Sequence, residues 1–253
     1  MKKRRIPAVG LIETMRYEDG RIFLFGEHVR RLTAGCRAFG LRPPSGRVVR
    51  AAIRVLMRRS PLKRSRLRMA WSYRDGALRL AVTSYPLTAL PVRGYRVMVE
   101  RRRKVRPSRW SAHKTTRREF YEELYGRARH AGYDEAFFGN SRGQLVEGTR
   151  TNVFCVLDGR LVTPSLASGC LPGVTRRAVL RLARAARIPV RETKLAWDDL
   201  RRSDEIFVTN AVIGVVPVRR LDRCTMPQPC PGPVTRRLRA AYRKEVETKA
   251  APV

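Results

Sequence analysis

Residues 145–154 read LVEGTRTNVF and lie within a longer run, 134–164, in which short apolar stretches alternate with turn residues. This alternation predicts a chain of short strands joined by turns at 139–143 and 158–159. Glu147 stands between the strand-like QLV and the strand TNVFCV, directly before a glycine. A glutamate in that position is commonly a plain turn residue, so its local setting leaves a structural and a functional role equally open.

The elements around this run complete a domain that mixes helices and strands. A helix is predicted from about Thr115 to Ala131, with Gly132 as its stop signal. After the strands, LPGVTRRAVLRLARAARI forms an amphipathic helix over 171–188 that begins at Pro172-Gly173. Further elements follow, namely PVRETKL, WDDLRRS, EIFVTNAVIGVVPV and a terminal helix over 233–247.

The first half of the chain has the pattern of a smaller α/β domain. GLIETMRY (10–17) alternates as a strand does, and after a turn IFLF (22–25) would return as its hairpin partner. The spacing of apolar residues predicts helices over 27–40 and 46–59. RLRMAWSY and ALRLAVTSY flank an Asp-Gly turn at 75–76 and form a second predicted hairpin.

The composition is strongly basic. The chain has 253 residues, 55 Lys+Arg and 21 Asp+Glu, and a formal net charge of +34. Such a charge favours polyanion binding by counterion release. The basic residues, however, are spread through every predicted element, and aromatic residues do not alternate with them as a stacking surface requires. Eight of the basic residues are Lys and 47 are Arg, a bias that general arginine enrichment explains as well. We therefore expect nonspecific polyanion binding rather than a dedicated nucleic-acid site.

Several protein classes are disfavoured by what the sequence lacks. Its apolar runs are too short or too interrupted to span a bilayer, and its basic start has no apolar segment of a signal peptide. Five cysteines form no Cys-x-x-Cys pair and three histidines are scattered, which argues against a metal site and favours reduced thiols in the cytoplasm. The sequence has no dinucleotide fingerprint, P-loop, HExxH or GxSxG motif.

Lys114, within SAHKTTRREFYEE (111–123), is a candidate for covalent chemistry. A lysine amine, unlike a guanidinium, can lose its proton near neutral pH and attack a carbonyl carbon. Its place just before a helix predicted to start at Thr115 would favour the deprotonated form, because the positive end of the helix dipole lies there. By position alone, a solvated lysine before a helix is the commoner case.

Five pieces occur in order along the chain: EHVRRL (27–32), HKTT (113–116), LVEGTRTNVF (145–154), LPGVTRR (171–177) and VTNAVIGVVPV (208–218). Together they closely resemble the class IV pyridoxal-phosphate aminotransferase and lyase family, over residues 10–218. The opening GLIETMRYEDG, and HKTTRR followed by EFYEEL, look most like the aminodeoxychorismate lyase branch. The resemblance implies a two-domain α+β fold of fold type IV, as in the D-amino acid and branched-chain aminotransferases.

The resemblance also implies a pyridoxal 5'-phosphate cofactor. Lys114 would hold the cofactor's aldehyde through its amine, and Glu147 would keep the pyridine nitrogen protonated so that the ring can accept electrons. The phosphate would lie at the helix start after Gly173, where free N–H groups bind anions. The residues assigned to the phosphate are Val174, Thr175, Arg31, Asn210 and Ala211.

Other positions carry smaller roles in the same resemblance. Thr14, on the first strand, would lie near the substrate and contribute to catalysis. Asn152 would order the loop after Glu147. Arg30 is the rival of Arg31 if the alignment slips by one residue, and His28 would pack against or orient Arg31 rather than react.

The activity implied by the resemblance is the conversion of 4-amino-4-deoxychorismate to 4-aminobenzoate and pyruvate, a step of folate biosynthesis. Lys114 would act as the general base and could protonate the departing group. The nearest alternative is a transaminase for branched-chain or D-amino acids, and a more distant one is a basic nucleic-acid-binding protein on a degenerate enzyme scaffold. A homodimer, a small anionic substrate and functional coupling to aminodeoxychorismate synthase are the expected partners.

The predicted domains are a small α/β domain over 1–105, a linker over 106–112 and a larger α+β domain over 113–253. Many family members have a further strand or two before GLIET, so part of the small domain's sheet is expected to be missing or replaced. Arg117 stands where many relatives have Asn. We interpret it as a marker of the lyase branch, or of a divergent substrate.

Overall fold

The computed structural model describes residues 10–74, 76–87, 94–227 and 229–253. They form two compact units. Of these residues, the first unit contains 10–74, 76–87, His113–Arg117 and Val246–Val253, and the second contains 94–112, 118–227 and 229–245. No helix in the described part of the chain has both the length and the apolar character of a membrane-spanning segment.

Strands and helices alternate irregularly along the chain. In order they are β1 (Leu11–Glu18), β2 (Arg21–Ile22), α1 (Phe25–Ala38), α2 (Gly46–Arg59), β3 (Arg64–Arg74), β4 (Ala77–Pro86), β5 (Tyr95–Val105), α3 (Glu119–His130), β6 (Glu135–Asn140), β7 (Leu145–Gly148), β8 (Asn152–Leu157), β9 (Arg160–Pro164), α4 (Val174–Ala185), β10 (Val190–Thr193), α5 (Trp197–Arg201), β11 (Glu205–Asn210), β12 (Gly214–Leu221), β13 (Cys224–Thr225), α6 (Pro233–Lys249) and β14 (Ala251–Pro252).

The first unit is a five-stranded sheet with the order β14-β2-β1-β3-β4, against which α1 and α2 pack. Alternate residues of β1 and β3 point to the helices, and Met15, Leu67 and Met69 are among the buried side chains of that inner face. The opposite, outer face carries Thr14 on β1 and Arg68 on β3, which are directly paired in the antiparallel register. This alternation brings β1's polar residues to two different surfaces.

Helix α2 shows why its sequence folds as predicted. Ser45 caps its start by accepting a hydrogen bond from the Val48 N–H at 3.3 Å. Val49, Ile53 and Met57 recur every four residues and are all buried. The predicted bounds of this helix, 46–59, are confirmed.

The second unit is built on a larger sheet with the order β10-β9-β8-β11-β12-β5-β6-β7, with β13 added beside β12. Its central strands are almost continuously apolar because both faces are covered. Phe137, Val153, Ile206 and Val216 belong to one core cluster of this sheet. The predicted chain of short strands over 134–164 is confirmed, as β6, β7, β8 and β9.

The return strand of the first hairpin and the start of α3 differ from the prediction. The hairpin partner of β1 is Arg21–Ile22 instead of residues 22–25. Leu24 turns the chain there with φ 55°, and α1 begins directly after it. The helix predicted from Thr115 begins at Glu119. Thr115 instead forms an antiparallel bridge with Leu11, an extended conformation that suits its β-branched side chain.

The observed units differ from the predicted domain boundaries of 1–105, 106–112 and 113–253. Strand β5 joins the second unit, because it pairs in parallel with β6 and β12. His113–Arg117 and Val246–Val253 belong to the first unit, where β14 pairs with β2. Residues 88–93 of the predicted small domain, and Asp75 of the predicted turn at 75–76, lie outside the described residues.

Candidate functional site

Lys114 is held against β1 in the first unit. Its carbonyl accepts the Ile12 N–H at 2.8 Å, and the Thr116 N–H donates to the Gly10 carbonyl at 2.9 Å. A side chain at Gly10 would collide with Ser72 and Thr116, so only glycine permits this approach. The helix-dipole argument for Lys114 is therefore wrong, because this lysine lies in an extended segment and α3 starts five residues later.

A buried cluster of Glu13, His28 and Arg31 lies between β1 and α1. The Arg31 Nε and Nη2 groups donate to the two Glu13 carboxylate oxygens at 2.8 and 2.5 Å, a bidentate pair. His28 Nδ1 lies 2.7 Å from Glu13 Oε2. The predicted relation of His28 to Arg31 therefore runs through Glu13, and Arg30 is exposed and paired with Glu27. The Nη1 group of Arg31 takes no part in the bidentate contact with Glu13.

The electrostatics of this cluster fix its protonation. Burial raises the pKa of Glu13, but the charge and hydrogen bonds of Arg31, together with the bond from His28, outweigh burial and lower the pKa to about 2. Burial lowers the pKa of His28, and the charges of Arg31 and Lys114 act in the same direction. A neutral His28 must then donate from Nδ1 to the Glu13 carboxylate. Its Nε2 atom is buried without a hydrogen-bond partner among the described residues.

The outer face of the first unit's sheet is polar and cationic near Thr14. Arg68 lies directly across from Thr14 and is exposed. Arg66, two residues earlier on β3, is on the same face, where its guanidinium lies 4.8 Å from the centre of the Tyr85 ring. This surface therefore offers guanidinium groups beside a threonine hydroxyl.

In the second unit, Glu147 and Asn152 contact each other. Asn152 Nδ2 donates to Glu147 Oε2 at 2.9 Å, and the Leu171 N–H donates to the same oxygen at 3.0 Å. Asn152 also donates to the Leu171 carbonyl at 2.9 Å. The predicted ordering role of Asn152 is thus seen in its contacts. Glu147 is buried at 6% exposure, and its Oε2 atom is fixed by two donors.

Helix α4 begins beside these residues, directly after its N-cap residue Gly173. A side chain at Gly173 would collide with the Asn152 amide oxygen, so glycine is required there. No side chain caps the start of α4, and Val174 and Thr175 are buried in its first turn. The Thr175 hydroxyl lies 3.3 Å from the hydroxyl of Tyr242, on α6. An uncapped helix start presents N–H groups and a positive dipole end, which suit an anion.

Asn210 closes the turn between β11 and β12. Its side-chain oxygen accepts the N–H groups of Val212 and Ile213, both at 2.9 Å, and its Nδ2 donates to the Arg150 carbonyl at 3.1 Å. Ala211 lies within this turn and is half-buried. The side chain of Asn210 therefore shapes the loop, which leaves the backbone of the loop as the part that could face a ligand.

Within each unit, the structure joins predicted residues to others that the sequence did not indicate. Glu13 was missed although it lies one residue from Thr14, and its signal was a carboxylate at an inward position of an apolar strand. Tyr242 was missed because nothing along the chain relates α6 to Thr175. Glu135, at the start of β6, was missed because nothing along the chain relates it to the residues that it contacts.

The family profile described as Amino-transferase class IV matches residues 10–221, which is most of the chain. The chain belongs to the class IV aminotransferase family. The resemblance of the five sequence pieces is thereby confirmed at the level of the family.

Curated class IV relatives are similar over part of their length. Over 103 residues the chain is 47% identical to a Thermotoga maritima protein provisionally named branched-chain-amino-acid aminotransferase; the alignment covers 41% of this chain and 37% of that protein. The Escherichia coli branched-chain-amino-acid aminotransferase is 38% identical over 115 residues, 46% of this chain and 37% of its own length. The aligned region therefore spans well under half of these relatives.

Solved structures share the whole fold. The branched-chain aminotransferase of Thermoproteus uzoniensis, solved with norvaline, has a TM-score of 0.85 and 28% identity, over 96% of this chain and 86% of that one. A Legionella pneumophila protein provisionally named 4-amino-4-deoxychorismate lyase has a TM-score of 0.84 over 93% of this chain and 91% of its own, at 21% identity, which shows the fold alone. The predicted α+β fold of fold type IV is confirmed.

Pyridoxal phosphate is the cofactor of class IV enzymes, and the residues of this chain fit its chemical groups. Glu147 supplies a buried carboxylate that its neighbours hold in place, as a protonated ring nitrogen requires. The uncapped start of α4 supplies donors for a phosphate. Lys114 supplies a primary amine in a fixed, half-buried segment.

Proposed function

We propose that this class IV enzyme is a pyridoxal-phosphate-dependent lyase that converts 4-amino-4-deoxychorismate to 4-aminobenzoate and pyruvate. The observation that supports this substrate is the cationic outer face around Thr14, where Arg68 lies directly across the strand and Arg66 shares the surface. The substrate carries two carboxylates, which guanidinium groups bind well. A branched aliphatic side chain would instead be expected to meet an apolar surface.

In this proposal each assigned residue serves one part of the cofactor. Lys114 would hold the aldehyde through its amine, and Glu147 would hold the proton on the pyridine nitrogen. Val174 and Thr175 at the start of α4 donate to the phosphate. Arg31, Asn210 and Ala211 are the remaining proposed phosphate contacts. When bound, pyridoxal phosphate supplies an electron sink for the carbanion formed at the substrate carbon that bears nitrogen.

Lys114 also moves the proton in the proposed reaction. Its amine, freed when the substrate's amino group takes its place on the aldehyde, would take the proton from the carbon that bears nitrogen. The bond between the ring carbon and the enolpyruvyl oxygen would then break. The ammonium of Lys114 returns a proton to the departing enolpyruvate, which becomes pyruvate, while the ring becomes aromatic. Thr14, beside Arg68, contacts the substrate and orients it. A homodimer and coupling to aminodeoxychorismate synthase remain predictions.

A branched-chain aminotransferase is the second candidate, and a specific observation favours it. The curated relatives with 47% and 38% identity carry that name, and the alignments with them cover 41% and 46% of this chain. The two activities share the cofactor and the lysine. They differ in whether the amino group leaves the substrate.

A product assay separates the two activities. Purified protein with pyridoxal phosphate is expected to release 4-aminobenzoate and pyruvate in equal amounts from 4-amino-4-deoxychorismate. Formation of 4-methyl-2-oxopentanoate from leucine and 2-oxoglutarate, without 4-aminobenzoate, would establish the aminotransferase instead. Arg68→Gln is expected to raise KM for the lyase substrate by about tenfold, the loss of a charged hydrogen bond. Arg47→Gln, an equal charge change on α2, is the control and should leave KM unchanged.

The cofactor assignment has its own test. The wild-type protein is expected to show the visible absorbance of covalently bound pyridoxal phosphate, and Lys114→Ala is expected to lose it. Lys104→Ala and Lys194→Ala control for the other lysines. A wild-type protein that shows no visible absorbance after incubation with excess pyridoxal phosphate and removal of the free cofactor would refute the proposed function.

A further inference from the structure

Glu135, the first residue of β6, is a buried carboxylate that the roles assigned so far do not use. It is 1% exposed. Its oxygens accept hydrogen bonds from a set of donors that, apart from its own neighbour, all lie on the 149–151 loop. They are the N–H groups of Ala136 (2.8 Å), Thr149 (2.9 Å) and Arg150 (3.0 Å), the Thr151 hydroxyl (2.9 Å) and the Thr149 hydroxyl.

Glu135 differs from Glu13 and Glu100, two other buried glutamates, in its partners. Glu13 is paired with Arg31, and Glu100 with Arg127 at 2.9 Å, whereas no ion pair to Glu135 occurs in the described part of the chain. Burial raises the pKa of Glu135, and the hydrogen bonds from the loop oppose that effect. The loop and the carboxylate therefore depend on each other, because the Arg150 N–H and the Thr151 hydroxyl donate to Glu135 and satisfy its buried oxygens. The Thr149 N–H is shared with the Ala136 carbonyl at 3.0 Å.

The 149–151 loop joins Glu147 to Asn152. Gly148 lies against Glu135, and a side chain there would come within 2.9 Å of the Glu135 Cδ atom and collide with the Thr151 hydroxyl. The loop is short, and its Gly148 N–H is bonded to the Thr151 carbonyl at 2.8 Å. A shift of the loop must therefore move Glu147, Asn152 or both, and these two residues are joined by a hydrogen bond of 2.9 Å.

We propose that Glu135 is a positioning residue of the cofactor site, which fixes the 149–151 loop so that Glu147 and Asn152 keep their mutual geometry. The inference rests on the proposed role of Glu147 at the pyridine nitrogen. Glu135 touches neither cofactor nor substrate in this proposal, and it acts through the loop alone. Arg150 extends the same arrangement, since its carbonyl accepts the Asn210 side chain at 3.1 Å.

The test compares Glu135→Gln with Glu100→Gln, both in the second unit. Glutamine keeps the shape of the side chain, but its NH₂ group faces donors and cannot accept from them. Glu100 is a suitable control because it is also a buried carboxylate that accepts two backbone N–H groups, those of Arg102 and Arg103, away from the loop. Thr151→Val removes one donor and keeps the carboxylate, in case Glu135→Gln folds poorly.

Hydrogen exchange of the loop amides is the first measurement and needs no cofactor. Exchange at Arg150 is expected to be at least tenfold faster in Glu135→Gln, and faster to a smaller extent in Thr151→Val, than in wild type. The Thr149 amide should change less, because it also donates to the Ala136 carbonyl. Glu100→Gln should exchange at the wild-type rate there. Unchanged protection in Glu135→Gln and Thr151→Val, or equal loss in Glu100→Gln, would overturn the inference.

The second measurement is the affinity for pyridoxal phosphate, followed by absorbance. Glu135→Gln is expected to weaken it by about tenfold, as loss of an outer-shell partner does at metal sites. The pH at which the bound cofactor changes its absorbance should shift as well, because the ring-nitrogen carboxylate is displaced. Wild-type affinity and an unmoved pH profile in Glu135→Gln would refute the positioning role. A wild type that takes up no pyridoxal phosphate would refute the proposed function instead.

Discussion

Glu13 holds Arg31 and His28 together beneath β1, and this small cluster is sensitive to any change in its carboxylate. Glu13→Gln is expected to lower the free energy of unfolding by about 3–5 kcal/mol, because it leaves a buried guanidinium without its counter-charge. Urea denaturation monitored by circular dichroism measures the change. Glu18→Gln, at a partly exposed glutamate that pairs with Arg16 and Arg64, should change the free energy by less than about 1 kcal/mol. Equal effects of the two substitutions would contradict the assigned geometry.

The same cluster predicts a pH dependence of stability with two limbs. The pKa of Glu13 falls from 4.5 to about 2 on folding, so its contribution is present above pH 4.5 and is lost as the pH falls towards 2. The pKa of His28 is lowered from 6.5 on folding. Below pH 6.5, His28 therefore binds a proton more readily in the unfolded chain than in the folded chain. Stability must fall there as well, by at most about 1.4 kcal/mol per pH unit. His28→Asn should flatten this slope between pH 6.5 and 5, and a slope that stays unchanged would show that His28 is not the titrating group.

The residues of the candidate site differ in how far the sequence could predict them. Glu147 and Asn152 are five positions apart, so one short motif indicates both, and the structure joins them. Glu13 and Arg31 are 18 positions apart and on different elements. Thr175 and Tyr242 are 67 positions apart. Contacts at such separations depend on how elements pack, which a local pattern does not contain.

Among the elements, α2 and α3 show why one set of bounds was predictable and the other was not. In α2 the capping Ser45 directly precedes the helix and the buried apolar residues lie within it, so local chemistry determines its bounds. The start of α3 depends on β1, because Leu11 draws Thr115 into a bridge. A tertiary contact thus overrides the local preference, and it leaves Lys114 extended rather than at a helix start.

Helix α2 is also a place where like charges lie close together. Its five arginines include Arg50, Arg54 and Arg58, which recur every four residues, and the helix has no acidic residue. Such i, i+4 pairs destabilise a helix by about 0.2–0.5 kcal/mol each. Arg54→Glu should turn two repulsive pairs into attractive ones and raise the free energy of unfolding by about 1 kcal/mol, measured by urea denaturation. Arg160→Glu makes the same change in net charge on β9, and an equal gain there would mean that only total charge matters.

At the scale of the molecule, the chain's division into units was less predictable than its elements. Strand β5 pairs in parallel with β6 and β12, and its partners in β12 lie more than 120 positions away. The C-terminal Ala251–Pro252 pairs with Arg21–Ile22 across almost the whole chain. Both pairings decide where a unit ends, and neither leaves a signature in composition or periodicity. The predicted boundary at 106–112 is therefore one that the sheet does not follow.

The net charge of +34 acts on the whole molecule and predicts how its stability depends on salt. Self-repulsion destabilises the compact state, since folding brings the positive charges closer together. The screening length falls from about 30 Å at 0.01 M salt to about 8 Å at 0.15 M, so added NaCl should raise the midpoint of thermal unfolding. The ion pairs of this chain oppose that trend, but most involve an exposed arginine and contribute little each. A calorimetric midpoint that falls between these two salt concentrations would show that the ion pairs outweigh the self-repulsion. Arg160→Glu, which lowers the net charge by two, should show a smaller rise than wild type.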